Sequence, residues 1–525
     1  QMALWQPERV ALPQQPGSLR SYLEGLEPLA PKLPVWRDEL YLELHRGCAT
    51  SRPDQKRHNR TLERLLREQD TVATLLGWVG LPAVAADWRP LLFQQFHDIL
   101  PGTSIPEVFD QAEPVWLRAR RQARNERDAG LQRLFPEKPQ PAPDLIPWLW
   151  MGLQPLARWS PLLRLPAGPW HVAHRLLSQQ PCCSGGVWVQ LPAQEGISCV
   201  ALDPSPFRMS ESSRAAELQP RNPVVVDAQT SGGWRFNNGL LTCRICRDGL
   251  ISLQGPDGIE QLSGPLQLRR YRDRGEFWDA WDLAVDYPQH PLPMAADWQL
   301  ELVEQGPLVA RVVLRSSIDG SALRMDVLLR ADSPSVELQV TIDWHQTHEL
   351  LRMVCPLARS AVRWAADTSG GVIERPAVAL TPSEHARWEV PVISWLASEE
   401  AGPGGGLGVL LDGPQGVDAG PHHLGISLLR GPTWPDPSAD QRLHRHRLAL
   451  MPVSSGWYRD GLAQAAIRFR EPGWLGPVDS CARWCGFPAL PQQLIPVSIR
   501  PDQSCLLYTS PSPRDATLSR MPSSA

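Results

Sequence analysis

The residues best suited to chemistry lie in one run, Phe93-Gln-Gln-Phe-His-Asp-Ile-Leu-Pro-Gly-Thr-Ser-Ile105, where His97 and Asp98 stand side by side before a Pro-Gly pair. A neutral imidazole is the commonest metal ligand, and a neighbouring carboxylate can hold a metal or a sugar hydroxyl. The pattern places the pair at a helix C-terminus, where a side chain can project into a cleft; a satisfied or capping histidine is the plainer alternative. A second polar set lies upstream. Glu39, Tyr41, Glu43 and His45 alternate with Leu40, Leu42 and Leu44, the period of a strand with one polar face. Glu39 and Glu43 share that face, so both are candidates for a general acid/base, with a solvated polar face as the alternative.

Other groups fall to geometry. Cys243 and Cys246 have Cys-x-x-Cys spacing but lie in an expected strand, where residues three apart point to opposite faces. Cys182-Cys183, Cys481 and Cys485 read as ordinary thiols or small buried apolar residues. His444 and His446 share a strand face without a third ligand, so an exposed strand is expected there. The 22 Trp, against 9 Phe and 6 Tyr, suggest sugar-stacking platforms, though most belong in a β core.

These residues must be positioned by several elements. Ser51 before Pro53 and Asp54 predicts a helix start, and Leu62, Leu65, Leu66, Val72, Leu75 and Leu76 follow at helical spacing until Gly77 and Gly80. A second helix is expected over 83–98. A third should start on the capping-box pattern Ser104-Ile-Pro-Glu107 and run to about Leu134, completing an antiparallel three-helix bundle. From Pro136 helical periodicity gives way to strands punctuated by Asp248-Gly249, Asp257-Gly258, Asp319-Gly320 and Asp412-Gly413. The expected division is 1–50, 51–135 (bundle), 136–215 (small β-sandwich), 216–504 (large β-sandwich) and a tail 505–525 outside the fold, since it resembles a translated sequencing adapter. The opening Gln1 suggests a natural start further upstream.

At 525 residues the chain is too long for one bundle or one sandwich. A net charge of -4 leaves no polybasic footprint, so neither nucleic acid nor an anionic membrane is expected as a partner. Ten scattered cysteines, no signal peptide and no apolar run of membrane-spanning length fit a cytoplasmic protein. A homo-oligomer remains open.

The run Gln95–Ile105, preceded by Glu39-Leu-Tyr-Leu-Glu-Leu-His-Arg-Gly47, closely resembles the glycoside hydrolase family 38 α-mannosidases. Trp278-Asp-Ala-Trp-Asp282, Leu351-Arg-Met-Val-Cys-Pro356 and Leu428-Leu-Arg-Gly-Pro-Thr-Trp-Pro-Asp-Pro437 extend the likeness in the family's order, over about 30–500. The resemblance implies a multidomain α+β protein: an α/β barrel, here a remnant in 1–50, then the three-helix domain and β-sandwiches, the large one galactose-mutarotase-like. It also implies a zinc ion held by two His and two Asp, with His97 as one metal ligand, Asp98 on the mannose, and Arg430 reaching towards the sugar.

The other ligands, an early His-x-Asp pair and the nucleophilic Asp, are barrel residues in that family, and His-x-Asp occurs nowhere here. A catalytic zinc takes about three protein ligands, and a retaining glycosidase two carboxyl groups ~5–5.5 Å apart. The expectation is therefore a piece of a zinc-dependent retaining exo-α-mannosidase acting on α-mannosides or oligosaccharides, inactive alone. The alternative is a stand-alone carbohydrate-binding or scaffolding β protein.

Overall fold

The computed structural model describes residues 17–36, 39, 44–135, 147–204, 217–274, 278–294, 297–401, 405–478, 488–491, 498–501 and 506–509. It divides into two units, 1–43 and 44–525. In the first, α1 (Leu19–Leu26) is capped by Ser18, whose hydroxyl accepts from Ser21 N, and runs into a 3-10 turn, Glu27–Lys32. The expected strand over 38–46 falls largely outside the described residues. Its last part is corrected: Leu44 lies in a bend and Arg46–Ala49 form a 3-10 turn.

The second unit opens with helices. α2 (Pro53–Trp78) packs along α4 (Pro106–Leu134), with the short α3 (Arg89–Gln94) against both. Leu62, Leu65 and Leu66 of α2 meet Leu91, Ile99, Ala112, Trp116, Ala119 and Ala123, the apolar stripe that the spacing predicted. The second helix is much shorter than expected. Asp70 accepts from Ala86 N and Trp88 Nε1, each at 2.8 Å, which ties 86–88 into a path outside any helix, so the helix starts only at Arg89, with Pro90 in its first turn. Neither serine caps its helix. Arg52, in the left-handed region, precedes α2, and Ile105 precedes α4, where Pro106 supplies the fixed φ of a first helical residue.

The β portion is a two-sheet sandwich with smaller sheets beside it. One sheet has nine strands, with Leu443–Val453 between Val336–Asp343 and Gly406–Asp412; the other has six, including Gln267–Arg272, Glu349–Pro356 and His423–Leu429. Asp319-Gly320 makes the hairpin turn between Val309–Ile318 and Ser321–Arg330. The architecture is multidomain α+β.

Sequence order does not follow the sheets throughout. Trp148–Met151 is flanked by Cys199–Leu202 and by Trp474–Pro477, so a strand from beyond the large sandwich completes the small sheet. Cutting the chain at 215/216 therefore severs a sheet. Leu506–Thr509 pair with Ser498–Pro501, so part of the tail expected outside the fold takes strand geometry; 510–525 lie outside the described residues.

His444 and His446, expected to be exposed, are buried with stacked rings 6.1 Å apart. Their strand is central in the nine-stranded sheet, and burial beside Arg57 of α2 holds the His446 pKa well below its ordinary value. Cys243 points into the core and Cys246 towards Asp248, on opposite sides of their strand, while Cys481 and Cys485 lie outside the described residues.

Candidate functional site

His97 and Asp98 sit in the turn after α3, not on the helix itself. Asp98 is anchored at both ends: its carboxylate accepts from Thr103 Oγ1 at 2.9 Å and its carbonyl from Thr103 N at 3.1 Å. The His97 side chain is 78% exposed, its ring 4.1 Å from that of Phe96 and its Nε2 3.4 Å from Asp98 Oδ2. A rigid carboxylate beside a solvent-facing imidazole suits ligand binding.

The turn is bolted to the start of α2. Lys56, fully buried, donates from Nζ to Pro101 O at 2.7 Å and to Ser51 O, and burial pulls its pKa down to about 7. Gln95 Nε2 donates to Asn59 Oδ1 at 2.9 Å. Gly102 adopts φ +84°, where a Cβ would lie 2.5 Å from Arg52 Cβ and 2.6 Å from Ser51 O. Only glycine fits that approach without displacement.

Arg430 enters the same junction from the large sandwich. Expected to reach a sugar, it is instead fully enclosed: Nε donates to Asp273 at 2.7 Å, Nη1 to Ser51 Oγ at 3.1 Å and Ala280 O at 3.3 Å, and Nη2 to Asp282 O. A buried guanidinium needs an anion and partners for its fork, and these neighbours supply both. Burial holds the Asp273 pKa above its ordinary value despite the Arg430 charge. Asp440 ties the two segments together, accepting from Arg52 N at 3.2 Å and from the backbone N–H groups of Arg430 and Gly431 at 3.0 and 2.9 Å.

The junction gathers further segments. Gly47 N donates to Trp281 O at 2.7 Å, and Asp282 accepts from the backbone of His45 and Arg46. A Cβ on Gly47 would fall 1.8 Å from Arg430 Nη1. Thr50 Oγ1 lies 3.4 Å from Glu389, which pairs with Arg352. Residues 45–47 and the stretches Gln95–Ile105, Trp278–Asp282 and Leu428–Pro437 thus meet around residues 45–56, and Arg352 is linked to them through Glu389.

Sequence reasoning missed one surface. Trp278 and Trp434, 56% and 51% exposed, stand with ring centroids 5.9 Å apart, and Trp281 lies 5.7 and 5.3 Å from them. Asp279 fixes the approach by accepting from the backbone of Thr433 at 2.7 Å and Trp434 at 3.2 Å. The signal was present, since two resemblance segments each carry an exposed Trp, but composition assigned most tryptophans to the core. Glu39 is described only within the first unit, and Glu43 lies outside the described residues.

The Alpha mannosidase middle domain profile matches residues 43–134, and the Glycosyl hydrolases family 38 C-terminal domain profile matches 236–438, together more than half of the chain. The chain belongs to glycoside hydrolase family 38. Human "Alpha-mannosidase 2C1" is 28% identical over 494 residues, 90% of this chain and 44% of that protein; "Alpha-mannosidase G" of Dictyostelium discoideum is 24% identical over 483 residues, 85% and 43%. The chain thus spans less than half the length of these relatives. In fold it is similar to an alpha-mannosidase from Enterococcus faecalis V583, with a TM-score of 0.71 and 13% identity over 94% of this chain and 66% of that one. In family 38 terms, His97, Asp98 and Lys56 lie in the middle domain, and Arg430, Trp278 and Trp434 in the C-terminal one.

A zinc site does not assemble from this turn alone. Among the described residues, His97 and Asp98 gather no third His, Cys, Asp or Glu, and the one set of three such groups that does gather is Cys182, Cys183 and Glu304. One imidazole and one carboxylate fall short of the three protein ligands of a catalytic zinc.

Proposed function

We propose that this chain is the middle and C-terminal portion of a zinc-dependent, retaining exo-α-mannosidase that removes terminal α-linked mannose from glycosides or oligosaccharides. The supporting observation is the convergence at residues 45–56, which rigidly presents an exposed His97 and a braced Asp98 from a domain matching the alpha-mannosidase middle domain. His97 is proposed as one metal ligand and Asp98 as the group that holds a mannose hydroxyl. When bound, zinc would polarise sugar hydroxyls.

The chain's own residues bind and position. Thr103 keeps the Asp98 carboxylate oriented, Lys56 fixes the turn, and Arg430 acts by holding Ser51 and the Ala280–Asp282 backbone in place. Glu39 and Glu43 remain the candidates for acid/base catalysis. Because two donors do not make a catalytic zinc site, the chain alone is proposed to be inactive. Among the described residues Cys48, Cys182, Cys183, Cys243, Cys246 and Cys355 are free thiols, in keeping with a reducing cytoplasm.

The test is hydrolysis of an aryl α-mannoside by this chain alone and by the chain joined to the remaining portion of a family 38 relative. Activity is expected only in the joined protein, lost with chelator and with His97→Ala. Turnover by the isolated chain, or full activity in joined His97→Ala, would overturn the reading.

The Trp278–Trp434 pair favours a second reading, mannoside binding by the β portion itself, because exposed indoles offer flat faces to sugars. Saturable tryptophan quenching by methyl α-mannoside that survives chelator and His97→Ala, but not Trp434→Ala, would select it.

A further inference from the structure

Cys182 and Cys183 sit at the turn between strands Gln179–Pro181 and Val187–Gln190, a turn closed by Cys182 N to Gly186 O at 3.0 Å and Gly185 N to Cys182 O at 2.9 Å. Glu304, in the strand Gln299–Gln305 of the nine-stranded sheet, faces the turn from across the junction of small and large β portions. The two sulfurs and a Glu304 carboxylate oxygen all lie within 4.8 Å of one another. Both thiols are free; Cys182 is buried and Cys183 exposed, which leaves one open approach.

The carboxylate is held as a metal ligand is held. Glu304 is buried; Oε1 accepts from Cys183 N at 3.0 Å and Trp188 Nε1 at 2.8 Å, while Arg311 Nε lies 2.9 Å from Oε2. Although burial opposes ionisation, the indole, the backbone N–H and Arg311 hold the Glu304 pKa below its ordinary value. Each carboxylate oxygen has two lone pairs, so acceptor capacity remains on Oε2. Such outer partners orient a ligand and tune its basicity.

Charge and distance fit the same occupant. Two thiolates, one carboxylate and one guanidinium sum to minus two, which a divalent cation neutralises. Tetrahedral zinc with sulfur ligands spaces its donors about 3.8 Å apart, a contraction that rotation of two short side chains can supply. Two thiolates and a carboxylate also leave a fourth position for water.

We propose that Cys182, Cys183 and Glu304 form a site for a thiophilic divalent cation, Zn2+, which clips the small β portion to the large sandwich. The site is separate from His97 and does not depend on the proposed hydrolase activity. Binding must expel the thiol protons. Affinity therefore rises with pH.

The experiment uses the full 525-residue chain, reduced and freed of metal, titrated with zinc chloride against a chromophoric chelator and separately with Co2+. The expected result is one tight equivalent, a near-ultraviolet sulfur-to-cobalt charge-transfer band, and a rise in Tm on adding zinc. Cys183→Ser, at an exposed position that leaves the fold undisturbed, should weaken binding about tenfold or more and diminish the band. Glu304→Gln should weaken binding while retaining the band, and His97→Ala should change neither. The proposal fails if no charge-transfer band appears, or if zinc binding survives Cys183→Ser and is lost in His97→Ala.

Discussion

Lys56 Nζ donates to the carbonyl oxygen of Pro101 at 2.7 Å, so a fully buried amine on α2 holds the turn that carries His97 and Asp98. Lys56 is one of three lysines in the chain, the others being Lys32 and Lys138. Its place inside the junction gives it a structural task that the surrounding arginines, with bulkier forks, do not share.

Burial brings the Lys56 pKa to about 7 in the folded chain, well below its ordinary value. Between the two values the unfolded chain binds the extra proton, so this group makes stability rise with pH. The facing groups are Cys48, Asp54, Asp440 and Arg52. Burial pushes Cys48 up to about 11, which reverses the trend above the ordinary thiol range and limits the useful window. From about pH 7 to about 8.5 the stability of the parent chain relative to Lys56→Met should rise by up to about 1.4 kcal/mol per pH unit, measured by urea unfolding. A difference that does not vary with pH would show that Lys56 does not titrate there.

Gly102→Ala should cost about 2–4 kcal/mol, combining left-handed strain with the clash against Arg52 and Ser51. Gly80 is the control: φ is +74° and the space where a Cβ would go is open, so Gly80→Ala should cost about 1 kcal/mol. Urea midpoints for the two variants test the order, and equal losses would remove the close approach as the reason for Gly102.

Arg430→Met leaves Asp273 buried without its cation and should cost about 3–5 kcal/mol. Arg430→Lys keeps the charge but loses the fork to Ser51 and the backbone carbonyls, so it should recover only part of that loss. Pairing Arg430→Met with Asp273→Leu should restore stability relative to Arg430→Met alone. If the pair behaves as the sum of its parts, the ion pair is not the source of the loss.

His97→Ala should leave the unfolding free energy within about 0.5 kcal/mol, because the side chain is exposed. Thr103→Val, which removes the hydroxyl on Asp98, should cost about 1 kcal/mol. A large loss from His97→Ala by thermal unfolding would make that residue part of the scaffold and count against its role as a ligand.

Much was legible without coordinates. The apolar stripe of α2, its stop between Gly77 and Gly80, the hairpin turn at Asp319-Gly320 and the opposed faces of Cys243 and Cys246 all follow from local periodicity and turn chemistry. The His97–Asp98 pair was visible there as a candidate, because residue types can be read wherever the backbone puts them. The expected second helix and the two serine caps failed because Asp70 and the prolines act through tertiary contacts and fixed φ, which outweigh weak local propensities.

What only the tertiary structure decided was which distant residues meet. Sequence spacing carries no sign that Arg430 would spend its donors on Ser51 and Asp273, or that Lys56 would brace Pro101. Nor does it pair Trp278 with Trp434, or bring Glu304 to Cys182 and Cys183. Periodicity governs a residue's face within its own element. The partner across an interface is set by how elements pack, where a buried charge settles beside whichever anion or carbonyl the fold delivers.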